Sequence, residues 1–139
     1  MGIAARAVAI VLLPLALAGC FGSDDNGPPS FMEDSSVPQP FPSDYRSELL
    51  AFMRTYLNNP VGVRNAMLAD PVQRTVGGRP RYVTCLRYSE QQSDGTYRDP
   101  LEGAVVFING RLDHMQRNAG DLCTGVNYAP FPELEHMSR

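Results

Sequence analysis

The sequence predicts an α+β domain. One amphipathic helix packs on a three- or four-stranded antiparallel β-meander, after a signal peptide and a disordered tether. Three observations lead there. Apolar residues recur at helical spacing between Ser43 and Pro60. Extended, alternating segments follow, the clearest from Arg81 to Ser89. The apolar run Ala104–Ile108 then meets Asn109-Gly110 and a return strand, the pattern of a two-residue hairpin. The chain divides accordingly into 1–19, 20–42 and a small domain over 43–139.

Ser43 suits a helix N-cap, and Asp44 in the first turn suits the helix dipole. Tyr45, Leu49, Phe52 or Met53, and Tyr56 then share one face, and Asn58-Asn59-Pro60 ends the helix. Such a stripe reads as core packing. Val61–Leu68 fits a short helix or a strand equally well. Asp70-Pro71 interrupts, Val72–Val76 resumes, and Gly77-Gly78-Arg79-Pro80 forms a turn. In the next strand Tyr82, Thr84, Leu86 and Tyr88 point one way, while Arg81, Val83, Cys85 and Arg87 point the other. Glu90–Glu102 is polar and reads as a loop. The apolar tail Tyr128–Pro132 reads as a cover over a sheet face or edge, with a docking segment as the other reading.

All 12 basic residues are arginine. Arg6 falls in the segment expected to be removed, which leaves a net acidic chain. Four carboxylates (Asp24, Asp25, Glu33, Asp34) sit in 20–42 with no arginine, whereas charges balance from Ser43 onward. That balance disfavours binding to phosphate backbones, so no nucleic-acid partner is expected. The Pro-, Gly- and acid-rich stretch 20–42 buries too little apolar surface to order itself and reads as a tether.

Ala7–Ala18 is an unbroken apolar run, too short to span a bilayer but the right length for a signal-peptide core. It ends in Leu17-Ala18-Gly19-Cys20. This motif resembles the lipobox of bacterial lipoproteins. The resemblance implies cleavage before Cys20 and acylation of that residue, so the chain would hold a membrane through several acyl chains. Phe21, rather than an aspartate, follows the cysteine, which in enteric lipoproteins implies transport to the outer membrane.

With Cys20 so assigned, Cys85 and Cys123 remain as an even pair in an oxidising compartment and are expected to form a disulfide. A loop of that length corresponds to about 4 kcal/mol in the chain-entropy treatment. Metal chemistry finds no support: no ligands lie near the pair at metal-site spacing. Glu90, Gln92, Asp94 and Gly95 match the first half of a calcium loop, but Leu101 occupies its last ligand position, so Asp94-Gly95 reads as a turn. Glu133, Glu135 and His136 lie in a tail expected to fray. No cofactor is implied.

No catalytic motif stands out. His114 is expected on the opposite strand face from Asp113, a half-exposed sheet histidine without an orienting carboxylate. From Tyr56 to Glu135 the chain resembles small uncharacterised envelope lipoproteins of alphaproteobacteria. The shared features are YLNNPVGVRNA, RYVTCLRYSE, a GRLDHM-like strand and YAPFPELE. That resemblance implies no activity. The expectation is a periplasm-facing, outer-membrane-tethered lipoprotein, non-enzymatic, serving as an accessory or interaction module with an envelope protein partner. A small-ligand or hydrolase-inhibitor module would show an apolar pocket beside Tyr82, Tyr88 and Phe107. An enzyme would place His114 in a cleft with a carboxylate.

Overall fold

A computed structural model describes residues 37–138. The expected Cys20 anchor and most of the tether lie outside them. Helix α1 (Tyr45–Tyr56) is followed by strands β1 (Arg64–Ala69), β2 (Val72–Val76), β3 (Arg79–Ser89), β4 (Leu101–Ile108) and β5 (Arg111–Gln116). A 3-10 turn (Gly120–Cys123), strand β6 (Tyr128–Pro130) and the short helix α2 (Pro132–Glu135) complete the chain. One antiparallel sheet of six strands runs in the order β5-β4-β3-β1-β6, with β2 also paired to β3. The sheet therefore has more strands than the three or four expected.

Long strand β3 organises the sheet. Its first half pairs with β2, from Val76 opposite Arg79 to Val72 opposite Val83. Its second half pairs with β1, where Leu68 lies opposite Leu86. Strands β1 and β2 thus share one edge of β3, broken at Asp70-Pro71 because proline cannot donate to the ladder. The Thr84 hydroxyl fills the gap by donating to the Ala69 carbonyl. Val61–Leu68 resolves as a strand only from Arg64 on, with a register shift between Arg64 and Met67 and Asn65 in the left-handed region (φ 52°).

Both faces of the sheet are covered. On one, α1 lays Leu49 and Met53 against Leu86, Tyr88, Val105 and Phe107, all buried. On the other, Val83, Cys85, Ala104 and Val106 pack beneath Ala119, Leu122 and Cys123. The two sides of β3 read from alternation hold, but the second side meets protein as well as solvent.

The helix entry differs from expectation. Asp44, not Ser43, occupies the N-cap position, and no side chain caps the helix. A backbone turn does the work instead: Tyr45 N–H donates to the Pro42 carbonyl (3.2 Å) and Ser43 N–H to that of Phe41 (3.0 Å). Pro42 is buried, Phe41 sets its ring edge-on to Tyr82 at 5.3 Å, and the Asn109 N–H donates to Gln39 Oε1 (2.9 Å). Ordered packing therefore begins before Ser43, inside the segment assigned to the tether.

The β4–β5 hairpin forms as read, with Asn109 and Gly110 at φ 51° and 76°, the two positive values a type I′ turn needs. The C-terminal tail does not fray. Strand β6 covers the outer edge of β1, with Ala129 opposite Leu68. Phe131 and Leu134 are fully buried, and Arg46 pairs with Glu133 at 2.9 Å and stacks over the Phe131 ring. Glu135 accepts from the Ala66 N–H (2.8 Å), satisfying a donor left by the β1 irregularity. These contacts, which no local propensity announces, hold the last turn in place.

Phe131 joins α1, β1 and the tail, so its truncation should be costly. Phe131→Ala is expected to destabilise by about 3–5 kcal/mol, read as a lowered midpoint in urea unfolding with an unchanged slope.

Candidate functional site

The two cysteines of the domain are bonded. Cys85 Sγ and Cys123 Sγ form a disulfide with Cα atoms 5.8 Å apart and a sequence separation of 38. Cys85 lies on β3 facing away from α1, and the 3-10 turn brings Cys123 over it. Arg74 of β2 holds the same segment, donating to the carbonyls of Leu122 (3.1 Å) and Thr124 (3.0 Å). Nearby, Arg87 stacks over Tyr128, and Arg87 Nε and the Tyr128 hydroxyl both donate to Glu102 Oε2, at 2.7 and 2.8 Å. The Tyr128 bond, followed by the Arg87 bond, holds the Glu102 carboxyl below its ordinary range against a modest burial penalty.

His114 departs from the expectation in one respect. Its Nδ1 lies 2.6 Å from Asp113 Oδ2. The cause is a bulge: Leu112 pairs with Phe107 and His114 with Val106, which leaves Asp113 as an extra residue. Strict alternation fails there, so neighbours in sequence meet. The other ring nitrogen faces Gln116 Nε2 at 3.2 Å. The imidazole is nearly half exposed on the open flank of β5, away from the cleft described next.

That cleft occupies the end of the sheet where β3 finishes. Leu57–Asn59, just past α1, form one wall, and Glu90–Ser93 with Arg98 form the other, around a volume of about 410 Å³. A small-ligand or inhibitor module would show an apolar pocket beside Tyr82, Tyr88 and Phe107. Tyr88 and Phe107 are buried beneath α1, and their space is filled.

The β3–β4 connection is ordered by its own bonds. Gln92 N–H donates to the Thr96 carbonyl (2.7 Å), Gly95 N–H to Gln92 (3.0 Å) and Arg98 N–H to Glu90 (2.9 Å). Asp94 Oδ1 accepts from the Thr96 N–H and hydroxyl, at 2.9 and 2.6 Å, so the loop closes as the turn its sequence suggested. Those two bonds hold the Asp94 carboxyl below its ordinary range. Arg64 stacks over Tyr97 at 3.9 Å and fastens the loop to β1. Gly62 completes the arrangement. It sits at φ 92°, where side chains other than glycine's hydrogen are strained, and a Cβ there would also press on the Gln91 side chain.

Beneath the cleft, the Tyr88 hydroxyl donates to Glu90 Oε1 at 3.3 Å. Arg117 Nε donates to the Tyr56 hydroxyl (2.5 Å) on the flank where α1 ends. Among the described residues no cluster of three or more His, Cys, Asp or Glu side chains is placed to hold a metal ion, and no helix is long and apolar enough to cross a membrane. No protein-family model, curated protein or solved structure matches this chain.

Burial, reinforced by the Glu90 charge, pushes the Tyr88 phenol well above its ordinary value. An unfolded chain ionises the same phenol near pH ~10. A raised folded value means the stabilisation is complete below that pH and is lost as pH rises beyond it. Thermal midpoints should therefore fall on the alkaline side of pH ~10, and Tyr88→Phe should flatten that decline.

Proposed function

We propose that this protein is a lipoprotein of the cell envelope. Residues 1–19 direct export, Cys20 carries the acyl chains, and the domain acts at the periplasmic face of the outer membrane as a non-enzymatic interaction module. The observation that supports this most is the Cys85–Cys123 bond. Structural disulfides persist in oxidising compartments and are rare in reducing ones. The pairing also leaves Cys20, in its Leu-Ala-Gly-Cys setting, as the cysteine outside the bond.

Among the described residues the chain enters the domain at the end opposite the cleft. Val37 to Phe41 reach the domain beside the Asn109-Gly110 turn, and the Gly77-Gly78 turn lies at the same end of the sheet. The cleft lies at the other end, past Ser89, about 33 Å away along β3.

A second reading, small-ligand binding, is favoured by the cleft itself. An enzyme built on His114 draws less support, because its Asp113 contact sits on an open strand flank.

The anchor is tested by feeding radiolabelled palmitate to cells that express the full chain or Cys20→Ala. The full chain is expected to take up the label and the variant to take up none. An unlabelled full chain, or equal labelling of both, would contradict the proposal.

A further inference from the structure

We propose that the cleft between the end of α1 and the β3–β4 loop binds a neutral carbohydrate. The inference rests on the envelope reading only for the supply of such ligands; the binding chemistry stands apart from it. The walls carry carboxamides from Asn58 and Asn59 on one side and from Gln91 and Gln92 on the other, with Ser93 beside them. A carboxamide both donates and accepts, as a sugar hydroxyl does, so amides lining a cleft can satisfy vicinal hydroxyls without charge. Glu90 and Arg98 add one acceptor and one donor of the charge-assisted kind, and their charges cancel.

That lining argues against other ligand classes. Leu57 is the single large apolar side chain of the walls, so an apolar anchor from a peptide finds no pocket. A polyanion would meet Glu90 as well as Arg98. The volume of about 410 Å³ lies within the range of small-molecule sites.

The walls are also held in advance. Gln91 Nε2 donates to the Gly95 carbonyl (3.3 Å), and its other end abuts Gly62. The loop bonds of Gln92, Asp94 and Arg98 fix the same wall, while Asn58, Gln92, Ser93 and Arg98 remain exposed at the opening. Such preorganisation lowers the ordering cost that usually weakens sugar binding.

The test uses the full chain purified from whole-cell extract in a zwitterionic, sugar-free detergent. N-acetylchitotriose and maltotriose are titrated in turn, with binding followed by amide NMR. Saturable shifts at millimolar sugar or below are expected for residues of 57–59 and 90–98. A response to the acetylated trimer alone would assign acetamido sugars, and a response to both would assign recognition of hydroxyls; either supports the proposal. The double variant Asn58→Ala/Gln92→Ala alters two exposed side chains and should weaken binding about tenfold with an unchanged melting temperature. Absence of shifts with both sugars, or undiminished binding in the folded variant, would overturn it. Palmitate labelling of Cys20→Ala reads the anchor separately, so neither failure masks the other.

Discussion

The Cys85–Cys123 bond is the constraint on which the second face of the sheet depends. Among the described residues, no α-helix lies over the apolar residues of that face, Val83, Ala104 and Val106. Their cover is a 3-10 turn and irregular chain, which packing alone would hold weakly. The bond ties that cover to β3 and encloses β4 and β5 between its ends. A loop of this length corresponds to about 4 kcal/mol of restricted unfolded-state freedom, a large share of the stability of a domain this size. Arg74 at the Leu122 and Thr124 carbonyls, and the Glu102–Arg87–Tyr128 group, then extend the same fastening.

On the first face the constraint is apolar. Helix α1 and the C-terminal turn close over β1, β3 and β4 from two directions, meeting at Phe131 and Leu134. Because β6 covers the edge of β1 and Glu48 accepts from the outward Leu112 N–H, two edges that would invite another strand are partly occupied. The conformational freedom that glycine supplies is spent where the chain must turn or approach closely, at Gly110 in the hairpin and Gly62 beside the cleft. The result is a domain with distinct ends, one receiving the chain from the N-terminal side and the other opening as the cleft.

What the sequence made legible was what depends on neighbours in the chain. The Asn109-Gly110 hairpin was readable because positive φ at two consecutive residues is a local demand. The α1 face and the two sides of β3 were readable from periodicity. Pairing of Cys85 with Cys123 followed from count and compartment, given Cys20 as a lipobox cysteine. What escaped depends on partners far away. Strand β1 is irregular because its register is set by β3, so Val61–Leu68 carries no clean period. The Asp113–His114 contact arises from a bulge against β4. Helix α2 is too short to stand alone and is held by Arg46 and the Ala66 N–H. The cleft was invisible because Asn58-Asn59-Pro60 read as a helix stop and Glu90–Glu102 as a polar loop, and only β3 brings them together.

The most direct measurement is the chemical state of all three cysteines in one preparation. Protein isolated from membranes is alkylated without reduction, digested and weighed by mass spectrometry. An acylated Cys20 at the new N-terminus and an alkylation-resistant Cys85–Cys123 pair are the expected outcome. An unmodified Cys20 within an uncleaved chain, or alkylated Cys85 and Cys123, would contradict an exported, anchored and cross-linked domain.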